Sequence, residues 1–392
     1  MAREKYPILT EPLSEINNKE EQTMSLYDER LQRTWDAIRM KKVDKIPFSY
    51  SGSAYMAKAE GLTMAKYVSD FDAGFEAAAN FCLHHPGIDT LHSPIFAPDA
   101  LKMVWLSEIR APGQELPEDE LWQVHEAEKM TMDDYKVINE IGYGPWMMQY
   151  MERIGGAPMD TLAAMGAASA KGYPMMAEKA QMPIVNAANA SGPVEAFCGA
   201  RQLMNFYMDV ILEPELVKSA MDKAFEFNYQ NFLQSLDAKP LGCWVGGWRA
   251  APELMSHEIW MEYCWPYLKK LTEAAVERGV MCFLHFDSCW DRELETLKEL
   301  PARSCVLMTD STTDLRLARE KLGDHMCLMG DVPSSMLAFS TPNEVYNYVT
   351  KLIDDIGHDT GLIVSSGCDC PLNAKPENAD AMIQATIDYS VH

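Results

Sequence analysis

The chain has 392 residues, 47% of them hydrophobic and 23% charged, which excludes a disordered or fibrous protein and allows one large domain or two ordinary ones. Its 34 Lys and Arg stand against 58 Asp and Glu, a formal charge of −24 that repels nucleic-acid phosphates and anionic lipid. No apolar run reaches the roughly 20 residues of a membrane-spanning helix, and the start has no apolar core of signal-peptide length, so a cytoplasmic protein is expected.

Residues 1–24 are polar and acidic and read as an N-terminal arm. Folding starts at Ser25, an N-cap for a helix with apolar residues at Leu26, Leu31, Trp35, Ile38 and Met40 and with Asp28 and Glu29 in its first turns. Eight short apolar runs follow: KIPFSYSGS, GIDTLHSP, MPIVNAANASG, KPLGCWVGGW, GVMCFLHFD, SCVLMTD, HMCLMGD and GLIVSSGCD. Helical patterns such as SHEIWMEYCWPYLKKLTEAAVERG and TPNEVYNYVTKLIDDIG separate most of them. Strand alternating with helix means a parallel sheet, and eight such units predict an α/β protein with a (β/α)8 TIM barrel over 25–392 as a single domain; a doubly wound sheet is the alternative. The long stretch between the second and third runs predicts a helical insertion over about 95–180 that covers the barrel mouth. The 10 cysteines sit mostly in apolar stretches with no dense framework, the pattern of reduced thiols.

In a barrel the active site lies at the carboxyl ends of the strands, so the residues closing each run become the candidates. His285 and Asp287 are two apart on one strand and face the same side, and Cys368 closes the eighth run. Imidazole, carboxylate and thiolate are competent zinc ligands, and three of them with an open position is the form of a catalytic site. Each also has a packing explanation: an interior histidine, a helix cap, a buried thiol. Cys289, Cys370 and Cys327 are substitute ligands. Asp310, Asp331 and His92 stand at other strand ends as acid or base candidates. Tyr50, Trp244, Trp248 and Arg249 are candidates for holding substrate, the tryptophans suiting a planar ring and Arg249 a carboxylate substituent. No GxGxxG, P-loop or GxSxG pattern is present, which leaves a nucleotide cofactor and an ordinary serine hydrolase unsupported.

From about Arg33 to Ile387 the sequence resembles the uroporphyrinogen decarboxylase superfamily, in its corrinoid-dependent methyltransferase branch. The resemblance rests on PELMSHEIWMEYCWPYLKKL, the histidine-ending strand, DSTTDLRLAREKLGDHMCLMGDVP, the TPNEV helix and SSGCDCPLNAKPENADAMI. It implies a (β/α)8 barrel. The decarboxylases themselves carry an arginine-rich segment where this chain has DKIPFSYSGSAY, which argues against a porphyrinogen substrate. Thiol-methylating members of the branch carry a His-x-Cys pair and a later cysteine as zinc ligands; His285 and Cys368 match, and Asp287 replaces a cysteine. A carboxylate leaves zinc harder than a thiolate does, which suits ether oxygen. The implied activity is demethylation of a methyl ether, a methoxylated aromatic in particular, with zinc as cofactor and transfer of the methyl group to cobalt(I) of a corrinoid (cobalamin) protein. No DxHxxG motif of a corrinoid-binding domain is visible, so the corrinoid is expected on a separate partner; a homodimer is also compatible. The alternatives are a methylcorrinoid:thiol (coenzyme M type) methyltransferase, a decarboxylase of the uroporphyrinogen decarboxylase kind, and a non-catalytic binding barrel.

Overall fold

Ser25 caps the helix Leu26–Ile38 as its position predicts, its hydroxyl accepting the Asp28 N–H at 3.1 Å. Two arginines on that helix fasten it to the rest of the chain. Arg30 donates to the carbonyls of Ala180, Gln181 and Pro86, and Arg33 pairs with Asp44 and with the buried Asp89. The computed structural model describes residues 24–357 and 360–389, so the expected arm over 1–24 lies, apart from Met24, outside the described residues.

Ten strands follow in order: β1 (Ser49–Tyr50), β2 (Thr90–Leu91), β3 (Glu108–Arg110), β4 (Gln123–His125), β5 (Ala188–Ser191), β6 (Gly242–Gly247), β7 (Met281–Phe286), β8 (Cys305–Thr309), β9 (Cys327–Val332) and β10 (Leu362–Ser366). Strands β5 to β10 form one parallel sheet in sequential order, and β1 pairs with β2 in parallel. Single parallel bridges join Phe48 to Val364 and Leu91 to Ile184, linking β1 to β10 and β2 to the segment that enters β5. The hydrogen-bonded circuit therefore closes through eight parallel strands, the (β/α)8 barrel, and the doubly wound alternative falls because such a sheet has two free edges. The eight apolar runs of the sequence are these eight strands.

Alternation along the strands sorts side chains into two cores. Val185, Met281, Phe283, Val306, Met308, Cys327, Met329 and Ile363 fill the barrel interior, and Ala37 and Ile38 of the first helix join them, so that helix plugs the amino-terminal end of the barrel. Their neighbours in sequence, such as Cys282, Leu284, Leu307 and Val364, face the surrounding helices.

The excursion between β2 and β5 is largely helical, as expected. It carries the helices Leu101–Trp105, Met132–Ile141, Tyr143–Met151 and Met159–Met175, but β3 and β4 pair in it as an antiparallel ladder. Strands of three residues are too short to leave a period-two signal in the sequence. Among the described residues no helix is long and apolar enough to cross a membrane.

Candidate metal centre at the barrel mouth

The last inward-facing residue of β7 is His285, 6% exposed. Its Nε2 lies 3.3 Å from Asp287 Oδ1 and 3.7 Å from Cys368 Sγ, and all three donor atoms fall within 4.8 Å of one another. A tetrahedral zinc with bonds near 2.0–2.3 Å sets its ligand atoms roughly 3.3–3.8 Å apart, so the two separations from His285 Nε2 fit that ion, and nitrogen, oxygen and sulfur suit its chemistry. Burial alone would keep the imidazole neutral, but hydrogen bonds to Asp287 and Cys368 override it and raise its affinity for a proton well above the usual range. The same negative surroundings favour a dication. His285 Nδ1 is buried with no hydrogen-bond partner among the described residues, so no acceptor fixes the Nδ1–H tautomer that leaves Nε2 free for a metal.

The surrounding loops hold the other two donors. Asp287 donates its N–H to the Gly247 carbonyl at 3.2 Å and accepts Trp290 Nε1 on its own carbonyl at 2.9 Å. Ser288, with φ at +69°, gives its N–H to Asp310 Oδ2 at 2.8 Å, while Thr313 Oγ1 accepts the Trp290 N–H and donates to the Ser288 carbonyl. Cys368 is steadied through its carbonyl by the Ser366 hydroxyl, and Asp369 beside it takes the Ser51 hydroxyl from the loop after β1.

Each residue singled out in the sequence has a definite place. Trp244 on β6 stands beside the cluster with its indole 5.6 Å from the His285 ring, folded over Gly246, where a Cβ would collide with it. Trp248 is 42% exposed at the mouth and meets Trp105 of the excursion edge to face at 5.7 Å. Arg249 is 2% exposed, its guanidinium stacked on Trp248 at 4.1 Å and paired with Glu126, with Glu195 at 3.9 Å. Both terminal guanidinium nitrogens are nonetheless buried without a hydrogen-bond partner among the described residues, and burial pulls the Arg249 pKa down to about 9. His92 lies inside the barrel against Phe283, and burial with the nearby His285 pushes its pKa down to about 3, so it is neutral.

Three candidates are engaged by other parts of the chain. Tyr50 is 1% exposed, packed on Phe81 at 5.0 Å and close to Cys370, so it faces the helix layer and not the mouth. Asp331 accepts the Tyr348 hydroxyl at 2.8 Å from the helix Pro342–Ile356, where burial raises its pKa. Asp310 has both oxygens on backbone N–H groups, those of Ser288 and Thr312, and so secures the loop that bears Asp287. Of the substitute thiols, Cys327 belongs to the barrel interior, Cys370 is buried beside Tyr50, and Cys289 adjoins Asp291. None joins the His285 cluster among the described residues.

Glu195 escaped the sequence reading. It is the third residue of the helix Pro193–Arg201, after the run MPIVNAANASG, and an acidic residue in a first helical turn reads as a favourable match to the helix dipole. In the fold it is buried, with its carboxyl pushed up to about 7 by that burial.

Comparison with known proteins adds two likenesses. The sequence pattern of the uroporphyrinogen decarboxylase (URO-D) family matches residues 175–389. The uroporphyrinogen decarboxylase of Erwinia tasmaniensis is 32% identical over 90 residues, 23% of this chain and 25% of that protein; that of Alcanivorax borkumensis is 24% identical over 193 residues, 46% of this chain and 51% of that protein. The chain thus spans between a quarter and a half of the length of these curated relatives. Among solved structures, a methyltransferase from Methanosarcina mazei superposes with a TM-score of 0.66 at 16% identity, covering 92% of this chain and 98% of that one, a likeness of fold.

Proposed function

Because this chain belongs to the uroporphyrinogen decarboxylase (URO-D) family, whose pattern covers just over half of it, we propose that its barrel serves as a methyltransferase that demethylates a methyl ether and passes the methyl group to cobalt(I) of a corrinoid protein. The observation that carries this reading is the convergence of His285 Nε2, Asp287 Oδ1 and Cys368 Sγ at the carboxyl ends of β7 and β10. An aryl methyl ether is a poor methyl donor because the departing oxygen takes the full negative charge. Zinc held by these three residues would supply Lewis-acid stabilisation of that charge as the C–O bond breaks and the C–Co bond forms.

The chain's own residues account for the rest. His285 turns Nε2 to Asp287 and Cys368, and the Asp310, Thr313 and Trp290 contacts keep Asp287 in place. Trp244 offers an aromatic face beside His285 for a planar donor, and Trp248 covers the mouth from the other side of β6. His92, neutral and buried with Nε2 unpartnered, is a hydrogen-bond group in the barrel interior. The leaving oxygen, freed as a phenolate, takes its proton from water. A polycarboxylate such as a porphyrinogen is disfavoured: Glu126 and Glu195 stand beside Arg249, and Asp287 adds a further negative charge.

The test is spectroscopic. The zinc-loaded protein is mixed anaerobically with cob(I)alamin and a panel of methoxylated aromatics. Donor-dependent conversion of the cobalt(I) band to methylcobalt(III) is expected. Absence of conversion, with coenzyme M instead regenerating cobalt(I) from methylcobalamin, assigns the thiol reaction. Carbon dioxide release from an aromatic acid without cobalt overturns methyl transfer altogether.

A further inference from the structure

The turn after β6 is built around one carboxylate. Glu195 Oε1 accepts the N–H of Trp248 at 2.8 Å and of Ala250 at 2.9 Å, so a single oxygen grips both sides of Arg249. Around the turn, the Tyr207 hydroxyl donates to the Arg249 carbonyl at 3.1 Å and Trp260 Nε1 to the Ala250 carbonyl at 3.0 Å. One residue earlier, the Gly247 carbonyl accepts the N–H of Asp287, so the turn is continuous with a proposed metal ligand. A carboxyl group only 2% exposed is costly unless its acceptors are satisfied, and here backbone donors satisfy one oxygen while Arg249 faces the other.

We infer that Glu195 is a positioning residue: its carboxyl moulds the Trp248–Ala250 turn and so sets Trp248 at the mouth. The consequence for turnover rests on the methyl-transfer reading; the moulding of the turn does not.

Trypsin distinguishes the two. The Arg249–Ala250 bond is shielded while the turn is gripped, since both residues are buried. In the folded protein, Glu195→Ala removes the acceptor and should raise the rate of cutting at that bond by about tenfold, followed by mass spectrometry, because cutting tracks the open population. Glu195→Gln keeps an oxygen able to accept both N–H groups and should restore resistance. Wild-type resistance in Glu195→Ala, or equal susceptibility in Glu195→Gln, overturns the assignment. Should Glu195→Ala not fold, Glu195→Asp carries the test, being one methylene too short to reach both donors and so expected to be cut faster. With the donor found by the cobalt assay, Glu195→Ala should raise KM about tenfold with kcat within about threefold and zinc content unchanged, and Glu195→Gln should return KM to near wild type. An unchanged KM overturns the functional half. A wild-type chain inactive toward every donor counts against methyl transfer, and the trypsin comparison still decides the role of Glu195.

Discussion

At the scale of single residues, the mouth of this barrel brings three potential metal donors together beside groups that shape the space around them, and substitution should separate the two roles. His285→Ala removes the donor common to both short contacts, so zinc content should fall from one per chain to near zero and methyl transfer with it, read by metal analysis after gel filtration. Gly246→Ala touches no donor. Its new Cβ would occupy the position of the Trp244 indole, which must swing away from His285. Zinc should be retained while tryptophan emission shifts and donor affinity drops about tenfold, roughly 1.4 kcal/mol of lost stacking. An unshifted emission with wild-type affinity would show that Trp244 has no part in holding the donor. Residue types announced this site because imidazole, carboxylate and thiol at strand ends are chemically conspicuous. Glu195 stayed hidden because an acid in a first helical turn is ordinary, and only the turn folded around it marks it out.

At the scale of elements, local signals placed helices well. Thr341 and Glu344 bracket the start of Pro342–Ile356 as a capping box, the Thr341 N–H donating to Glu344 Oε2 at 2.8 Å and the Glu344 N–H to Thr341 Oγ1 at 3.4 Å. The helix then buries Val345, Val349, Leu352 and Ile353, the face its spacing predicts. Thr341→Ala should cost about 1 kcal/mol, lowering Tm by about 2 °C in a chain this long; calorimetry at neutral pH with turnover unchanged is the expected result. Tyr50 was misplaced for an elementary reason. It closes a two-residue strand, and in so short an element alternation does not reveal which face points into the barrel. Asp331 stands at the end of a clear strand, yet its partner Tyr348 lies on the next helix, a contact that strand periodicity does not encode.

At the scale of the whole molecule, buried carboxylates between distant segments tie stability to pH. Glu293, 1% exposed, accepts from His257, Arg292 and Thr296; Asp134 accepts from Trp146 and Arg153. Burial works against ionisation of both, but those hydrogen bonds outweigh it and hold each carboxyl below its ordinary range. The sign follows. Their contribution is fully present above the unfolded carboxylate values of about 4 and is lost as pH falls through the depressed folded values. Thermal scans should show Tm descending below about pH 4, and Glu293→Gln should flatten part of that descent; an unaltered slope would remove Glu293 from the acid limb.

By itself the sequence determined the alternation of strand and helix, the eight strand runs, the amphipathic helix behind Ser25 and the residue types of the candidate metal centre, because periodicity, capping and donor chemistry are properties of neighbouring residues. Only the tertiary structure decided that the circuit closes through single bridges at Phe48 and Leu91, that His285, Asp287 and Cys368 converge while the substitute thiols lie apart from them, and that Arg249 is buried beside Glu126 and Glu195. Those are facts of distance between residues up to 316 positions apart (364 − 48), and no local pattern carries them.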